Sequence, residues 1–267
     1  MSHHIDLTIP ATAYFFGFLQ ADGHLSQETR NRGKIRVEIQ RGDVGLLEQL
    51  KGVLPVYSSI TTRTRDTNFK VASETAIWTL YDQDVRESLN TLGLPYGKKS
   101  KVVDVPNVPF SGADYFRGVL DADGSIGFTA GGFPFVSWCT VSPAWGMAIA
   151  TFVERVTGKK KSCNPNARDG AYNIASFKED AQALARFLYY DGCVSLRRKW
   201  LASREVLAWQ RPSTMRKVTW GRRGWTPEED AFVLAHAVQE SVAHLGRTDR
   251  SVRVRLSRLR AAEVQRV

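Results

Sequence analysis

The residues of this 267-residue chain that could do chemistry are, first, two aspartates, Asp22 and Asp123, each closing one of two similar segments. Phe15-Phe16-Gly17-Phe18-Leu19-Gln20-Ala21-Asp22-Gly23 and Phe116-Arg117-Gly118-Val119-Leu120-Asp121-Ala122-Asp123-Gly124 align without a gap, 101 residues apart. Each reads as an apolar helix with small residues at i and i+4, Gly17 and Ala21 in one, Gly118 and Ala122 in the other. That spacing lets two helices approach through their backbones. Gly23 and Gly124 suit a left-handed position that stops a helix. A helix C-terminus carries partial negative charge and disfavours a carboxylate. If the two helices pack side by side, Asp22 and Asp123 face each other and form an anionic pocket that a divalent cation would stabilise.

The elements that must position this pair repeat in order: motif helix, hairpin, helix, hairpin, helix. Lys34-Ile35-Arg36-Val37-Glu38-Ile39-Gln40 alternates polar and apolar, a strand with one buried and one polar face. Lys34, Arg36, Glu38 and Gln40 on the polar face suit base edges and phosphates. A helix is expected over about 44–54. A hairpin follows, with strands at Ser59–Arg65 and Phe69–Ala72 flanking Asp66-Thr67-Asn68, decorated by Arg63, Arg65, Asn68 and Lys70. A further helix is expected over about 82–92. The second half predicts strands near 125–129 and 135–141, a helix over 145–157, and a hairpin turning at Asp169-Gly170. That hairpin would carry Lys160, Lys161, Asn164, Asn166, Arg168 and Asn173. Helices near 179–189 and 196–209 complete the half.

Composition bounds the function. The chain is 43% hydrophobic, enough for a packed core, and carries a formal net charge of +10, which points to a polyanionic partner. No apolar run approaches the length of a membrane span. The three cysteines, Cys139, Cys163 and Cys193, are widely spaced and form no metal motif, as expected for reduced thiols in a cytoplasmic protein. No glycine-rich phosphate loop, nucleophile elbow or histidine ligand cluster is present.

The paired segments resemble the motif that names the LAGLIDADG homing endonucleases, and the resemblance covers roughly residues 12–205. It implies an α+β fold of two pseudo-symmetric halves, αββαββα each, at 1–110 and 111–210, whose sheets form a saddle in the DNA major groove. It implies that Asp22 and Asp123 bind metal, with main-chain carbonyls of Ala21 and Ala122 as further ligands. The cation implied is Mg2+, for which Ca2+ or Mn2+ could substitute. Gln20 departs from the motif, which usually has an acid there, whereas Asp121 keeps it. The family also places a lysine near the metals late in each half, where it can stabilise developing charge. Lys199 is the candidate in the second half. In the first half Lys99 fits the local segment, while the 101-residue offset selects Lys98.

The tail differs. Residues 211–267 hold twelve basic and six acidic side chains, so more than half of the net charge lies there. Residues 211–224 read as a basic linker that tracks phosphate, with Arg222 and Arg223. Thr226-Pro227-Glu228-Glu229 predicts a capped helix start, and Leu245-Gly246-Arg247-Thr248 a turn before a helix with Val252, Leu256 and Leu259 on one face. Residues 225–267 resemble Myb/SANT-like helix-turn-helix modules, which implies DNA contacts from Arg247, Arg250 and Arg253.

Together these readings describe a monomeric, Mg2+-dependent endonuclease that breaks both strands of a long, nearly palindromic DNA site, intracellular and nucleoid-associated, or acting in an organelle or phage-infected cell. The rival readings are a non-catalytic LAGLIDADG and helix-turn-helix transcription regulator, and a maturase that binds intron RNA.

Overall fold

A computed structural model describes residues 5–54, 56–66, 72–213, 215 and 224–264. Asn68, Lys70, Arg222 and Arg223 lie outside them. The chain is a mixed α+β protein of two compact units, Met1–Arg211 and Pro212–Val267.

The first unit is built on two buried helices. Helix α1 (Pro10–Asp22) has an unbroken buried run from Ala13 to Gln20, and a helix apolar on all sides needs protein on all sides. Further along the chain, α4 (Gly112–Asp123) supplies much of that cover. A Cβ on Gly17 would lie 2.3 Å from Tyr115 O, and one on Gly118 would lie 2.0 Å from Tyr14 O. The backbones therefore touch at both glycines, reciprocally. Two cross-helix hydrogen bonds flank the contact: the Tyr14 hydroxyl donates to Asp121 Oδ2 at 2.7 Å, and the Tyr115 hydroxyl donates to Gln20 Oε1 at 2.5 Å.

Gly23 and Gly124 are not left-handed: their φ/ψ values are −72/151° and −94/−175°. The chain leaves each helix directly into a strand, and glycine is required there for space. A Cβ would lie 2.6 Å from Leu19 O at Gly23 and 2.9 Å from Leu120 O at Gly124.

After α1 come β1 (His24–Leu25), β2 (Ile35–Gln40), α2 (Val44–Val53), β3 (Ser58–Arg65), β4 (Ser73–Leu80) and α3 (Gln83–Thr91). The strands form an antiparallel sheet in the order β1-β2-β4-β3. Ile35, Val37 and Ile39 face the core, and Arg36, Glu38 and Gln40 face away. β3 pairs with 73–80, from Ser58↔Leu80 to Arg65↔Ser73, and residues 69–71 of the strand expected there lie outside the described residues. Three consecutive residues, Ala76, Ile77 and Trp78, are buried, so this central strand has no alternation to betray it.

After α4 come β5 (Ser125–Phe128), β6 (Pro134–Thr140), α5 (Pro143–Thr157), β7 (Tyr172–Phe177), α6 (Glu179–Leu188) and α7 (Arg197–Ala208), with the strands in the antiparallel order β5-β6-β7. The expected hairpin at Asp169-Gly170 is a turn without two strands. A single bridge joins Pro165 to Tyr172, because proline has no N–H to extend a ladder. The turn is held by Asn166 Oδ1, which accepts from the amides of Arg168 and Asp169, and Gly170 adopts φ 70°.

The second unit contains, among its described residues, helices α8 (Pro227–Ala235), α9 (Val238–Leu245) and α10 (Asp249–Val264). The capping box forms as a reciprocal pair, Glu229 N–H to Thr226 Oγ1 and Thr226 N–H to Glu229 Oε2. Val233 and Val252 are fully buried, and the Arg247 guanidinium lies 4.0 Å from the Trp225 ring centre.

Candidate active site and nucleic-acid interface

The two motif helices end with the same division of labour. The side chain two residues before each terminal aspartate is buried and structural: Gln20 donates to the carbonyls of Gly93 at 2.6 Å and Asp104 at 2.9 Å. Asp121 accepts from Tyr14, from the Tyr189 hydroxyl at 2.6 Å and from the Leu196 amide at 2.7 Å. Burial pushes the Asp121 carboxyl up, against those three donors. Asp22 and Asp123, by contrast, reach solvent. Burial of the carboxyl and the neighbouring Asp123 charge raise Asp22 to about 6, while Lys99, Lys199 and Arg198 pull it down. One cavity of about 300 Å3 is lined by Gln20, Ala21, Lys99, Asp123, Cys139 and Trp145.

Both lysines sit at helix ends. Lys199, only 6% exposed, donates to Leu120 O at 2.5 Å, Asp121 O at 2.7 Å and Gly124 O at 2.8 Å. It caps the C-terminus of α4, where a cation offsets the aligned carbonyls. Desolvation lowers its pKa to about 8, opposed by Asp121, with Arg198 adding to the lowering. Lys99 donates to Gly23 O at the corresponding end of α1, and burial lowers it against the pull of Asp22 and Asp123. Lys98 is exposed and makes no such bond. The structure thus brings together Asp22, Asp123, Lys99, Lys199 and the two helix ends carrying Ala21 and Ala122, and leaves Lys98 outside.

Two features of this site have little signal in the sequence. Arg117, in the middle of an apolar helix, is fully buried, pairs with Asp114, and donates to Leu188 O at 2.6 Å and Val194 O at 2.7 Å. It ties α4 to the chain that leads into Lys199. Tyr14 and Tyr115 are themselves 101 residues apart, so the offset that pairs the aspartates also pairs the tyrosines.

No group of three or more His, Cys, Asp and Glu side chains converges among the described residues. Two carboxylates at adjoining helix ends, whose last carbonyls have no following helical amide, are an oxygen-only set. Such a set fits a hard cation that completes its shell with water and phosphate oxygens.

On the first sheet the Glu38 carboxylate is used internally. It accepts from Arg36 at 2.6 Å and Thr75 at 2.8 Å, with Arg65 at 3.7 Å. Although burial opposes it, Thr75, Arg65 and Arg36 hold its pKa down. Gln40 and Arg63 are exposed on the same face, and Lys34 precedes it. In the second half, Lys161 reaches Ala175 O at 3.3 Å, Asn164 donates to Ser162, Arg168 pairs with Asp169, and Asn173 is exposed on β7. In the second unit Arg247 is committed inward, to Glu229 at 2.6 Å and Gly224 O at 2.7 Å. Arg253 pairs with Asp249 at 2.7 Å. Arg250 is exposed and, with Ser251, Val254 and Arg258, lines a hollow of about 310 Å3 beside Trp225.

No protein-family model and no curated protein matches the chain. Several solved structures resemble it at low identity. The LAGLIDADG homing endonuclease I-GzeII in complex with its DNA target is 13% identical, over 75% of this chain and 89% of that one, with a TM-score of 0.48. A mesophilic variant of the homing endonuclease I-DmoI is 12% identical, over 73% and 97%, with a TM-score of 0.49. Full-length DUF199/WhiA from Thermatoga maritima is 11% identical, over 93% and 89%, with a TM-score of 0.44.

Proposed function

We propose that the protein is a Mg2+-dependent, site-specific DNA endonuclease of the LAGLIDADG type. In this reading residues 1–110 and 111–210 are pseudo-symmetric halves of one monomeric chain, and residues 225–267, after the 211–224 linker, are a helix-turn-helix that makes a second DNA contact. The observation that carries it is the pair of solvent-reached carboxylates, Asp22 and Asp123, at the ends of two helices packed backbone to backbone, each end also met by a lysine ammonium. A protein that only binds DNA gains nothing from two acids turned toward a polyanion.

Asp22 and Asp123 would hold the cation, with the carbonyls of Ala21 and Ala122 as additional oxygen donors. A bound Mg2+ supplies Lewis-acid stabilisation of the phosphoryl oxygens and a more acidic water. Lys99 offers positive charge to the developing phosphorane. Lys199 locks the end of α4 and so fixes the direction of Asp123. Arg36, Gln40 and Arg63 present donors to base edges, with Glu38 fixing the Arg36 and Arg65 guanidiniums. Lys34, Lys161, Asn164, Asn166 and Arg168 flank the sheets as phosphate contacts.

Purified protein incubated with a random-site plasmid library, with and without Mg2+, tests this. The expected result is Mg2+-dependent double-strand breaks at one sequence. Asp22→Asn and Asp123→Asn should each abolish cleavage while the gel-shift affinity for that sequence stays within about threefold of wild type. Binding without cleavage by the unaltered chain would replace this reading with the transcription regulator. Preference for structured RNA would replace it with the maturase.

A further inference from the structure

The two sheets present unlike open faces. On the first, the register that buries Ile35, Val37 and Ile39 leaves Arg36, Glu38, Arg63 and Arg65 outward, four charged side chains. On the second, Val136, Trp138 and Ile174 are buried, so the residues of opposite parity form the open face. Ser125, Ser137 and Ala175 lie in register across the three strands, and Gly127, Phe135 and Phe177 form the next row. No residue of this face is charged. Phe177 is 48% exposed. The Phe135 ring lies over Gly127, where a Cβ would sit 3.9 Å from its Cε1.

Cations border this face instead of occupying it. Lys161 braces the edge strand at Ala175 O, Lys160 is exposed on the same flanking segment, where Arg168 is paired with Asp169, and Lys178 follows β7 directly. An uncharged surface with a basic rim is complementary to a groove floor between two phosphate backbones.

Resting on the DNA reading above, we infer that the second sheet recognises an A·T-rich half-site through thymine methyl groups at Phe135 and Phe177, while the first recognises a half-site containing G·C pairs. In the major groove the apolar mark is the thymine C5-methyl, and bidentate recognition of guanine takes Arg or Lys. The second face has neither. Asn173, exposed on β7, is the side chain suited to bidentate adenine contact. The two half-sites are therefore unlike, and the target departs from the near-palindrome that the doubled motif suggests.

The test is selection of duplexes from a randomised library by the full-length protein in Ca2+, followed by substitution of deoxyuridine for thymidine in one half-site at a time. Deoxyuridine removes only the methyl. Affinity should fall about threefold to fourfold per methyl in one half-site and stay unchanged in the other. Phe177→Ala should reduce the methyl sensitivity of that half, leaving the part that Phe135 reads, and Arg36→Ala should relax base preference only in the insensitive half. Because the probe alters the DNA, it reads out even if a Phe135 variant misfolds. Equal methyl sensitivity in both halves, none in either, or guanine preference under the Phe177 half-site would overturn the inference while leaving DNA recognition intact. Absence of any enriched sequence would overturn the DNA reading and the inference together.

Discussion

Lys199 places its ammonium among the carbonyl oxygens of Leu120, Asp121 and Gly124, so all three of its hydrogens have acceptors. Lys99 reaches the Gly23 carbonyl, which leaves donors for a phosphate oxygen or a water. The two lysines should therefore fail differently. Lys199→Met removes three charge-assisted bonds and strands helix-end carbonyls, a loss of about 2–4 kcal/mol. Urea unfolding should show it as a lowered midpoint, with cleavage falling as a consequence. Lys99→Met should leave the midpoint nearly unmoved and slow cleavage by about 10²-fold, as expected when an electrostatic stabiliser is lost. Lys98→Met, at an exposed position, should change neither. If Lys199→Met unfolded at the wild-type urea concentration, its role as a helix cap would be refuted. The sequence pointed to a lysine in each half, but not to this division, because neither residue's acceptors are local: they lie 75 to 79 positions away.

At the scale of elements, the α1–α4 contact sets the separation of Asp22 and Asp123. Gly17→Ala or Gly118→Ala would drive a methyl to 2.3 or 2.0 Å from a backbone oxygen of the other helix. The backbone cannot rotate away as a side chain can, so the helices must part, at a cost of about 3 kcal/mol or more. Gly45→Ala in α2 is the matched control: nothing lies within 4 Å of its Cβ position, and the change should stabilise by up to about 1 kcal/mol. Chemical denaturation of the three variants reads this, and equal midpoints would contradict backbone-to-backbone packing. These glycines were legible in the sequence because the need for close approach is written at i and i+4 in both copies. The alternation of Ile35–Gln40 and the Thr226–Glu229 capping box were legible for the same reason, since their partners are neighbours in the chain. Strand β4 was not: Ala76-Ile77-Trp78 is buried on both faces and loses the period that marks a strand. The missing second hairpin turned on Pro165, whose absent N–H outweighed a good turn at Asp169-Gly170. Tyr14 and Tyr115 carried only the 101-residue offset as a signal, and the role of Arg117 was hidden because two of its acceptors, Leu188 O and Val194 O, lie more than seventy positions away.

For the whole molecule, charge and compactness divide at the same place. The chain separates into compact units after Arg211, and the residues beyond Arg211 hold eleven basic and six acidic side chains, half of the net +10. Arg211 itself belongs with the first unit, where it forms a bidentate pair with Glu179 at 2.6 and 2.7 Å. A truncation ending at Arg211 keeps that clamp, so the remaining protein should unfold at the same denaturant concentration as the first transition of the full chain. Its DNA affinity should be lower and its salt dependence shallower, by about one unit of slope for each phosphate that the shortened chain leaves unneutralised. Within the second unit the guanidiniums differ in availability. Arg247 is held by Glu229 and Trp225, and Arg253 by Asp249, whereas Arg250 and Arg258 line one hollow on α10. Arg250→Ala with Arg258→Ala should therefore erase the part of the footprint that truncation erases, and Arg253→Ala alone should erase less. Arg247→Ala should act through stability, since it leaves the Glu229 carboxylate, only 7% exposed, without this partner. A footprint and a salt slope that truncation leaves unchanged would show that α8–α10 make no DNA contact, and the basic tail would then need another polyanion.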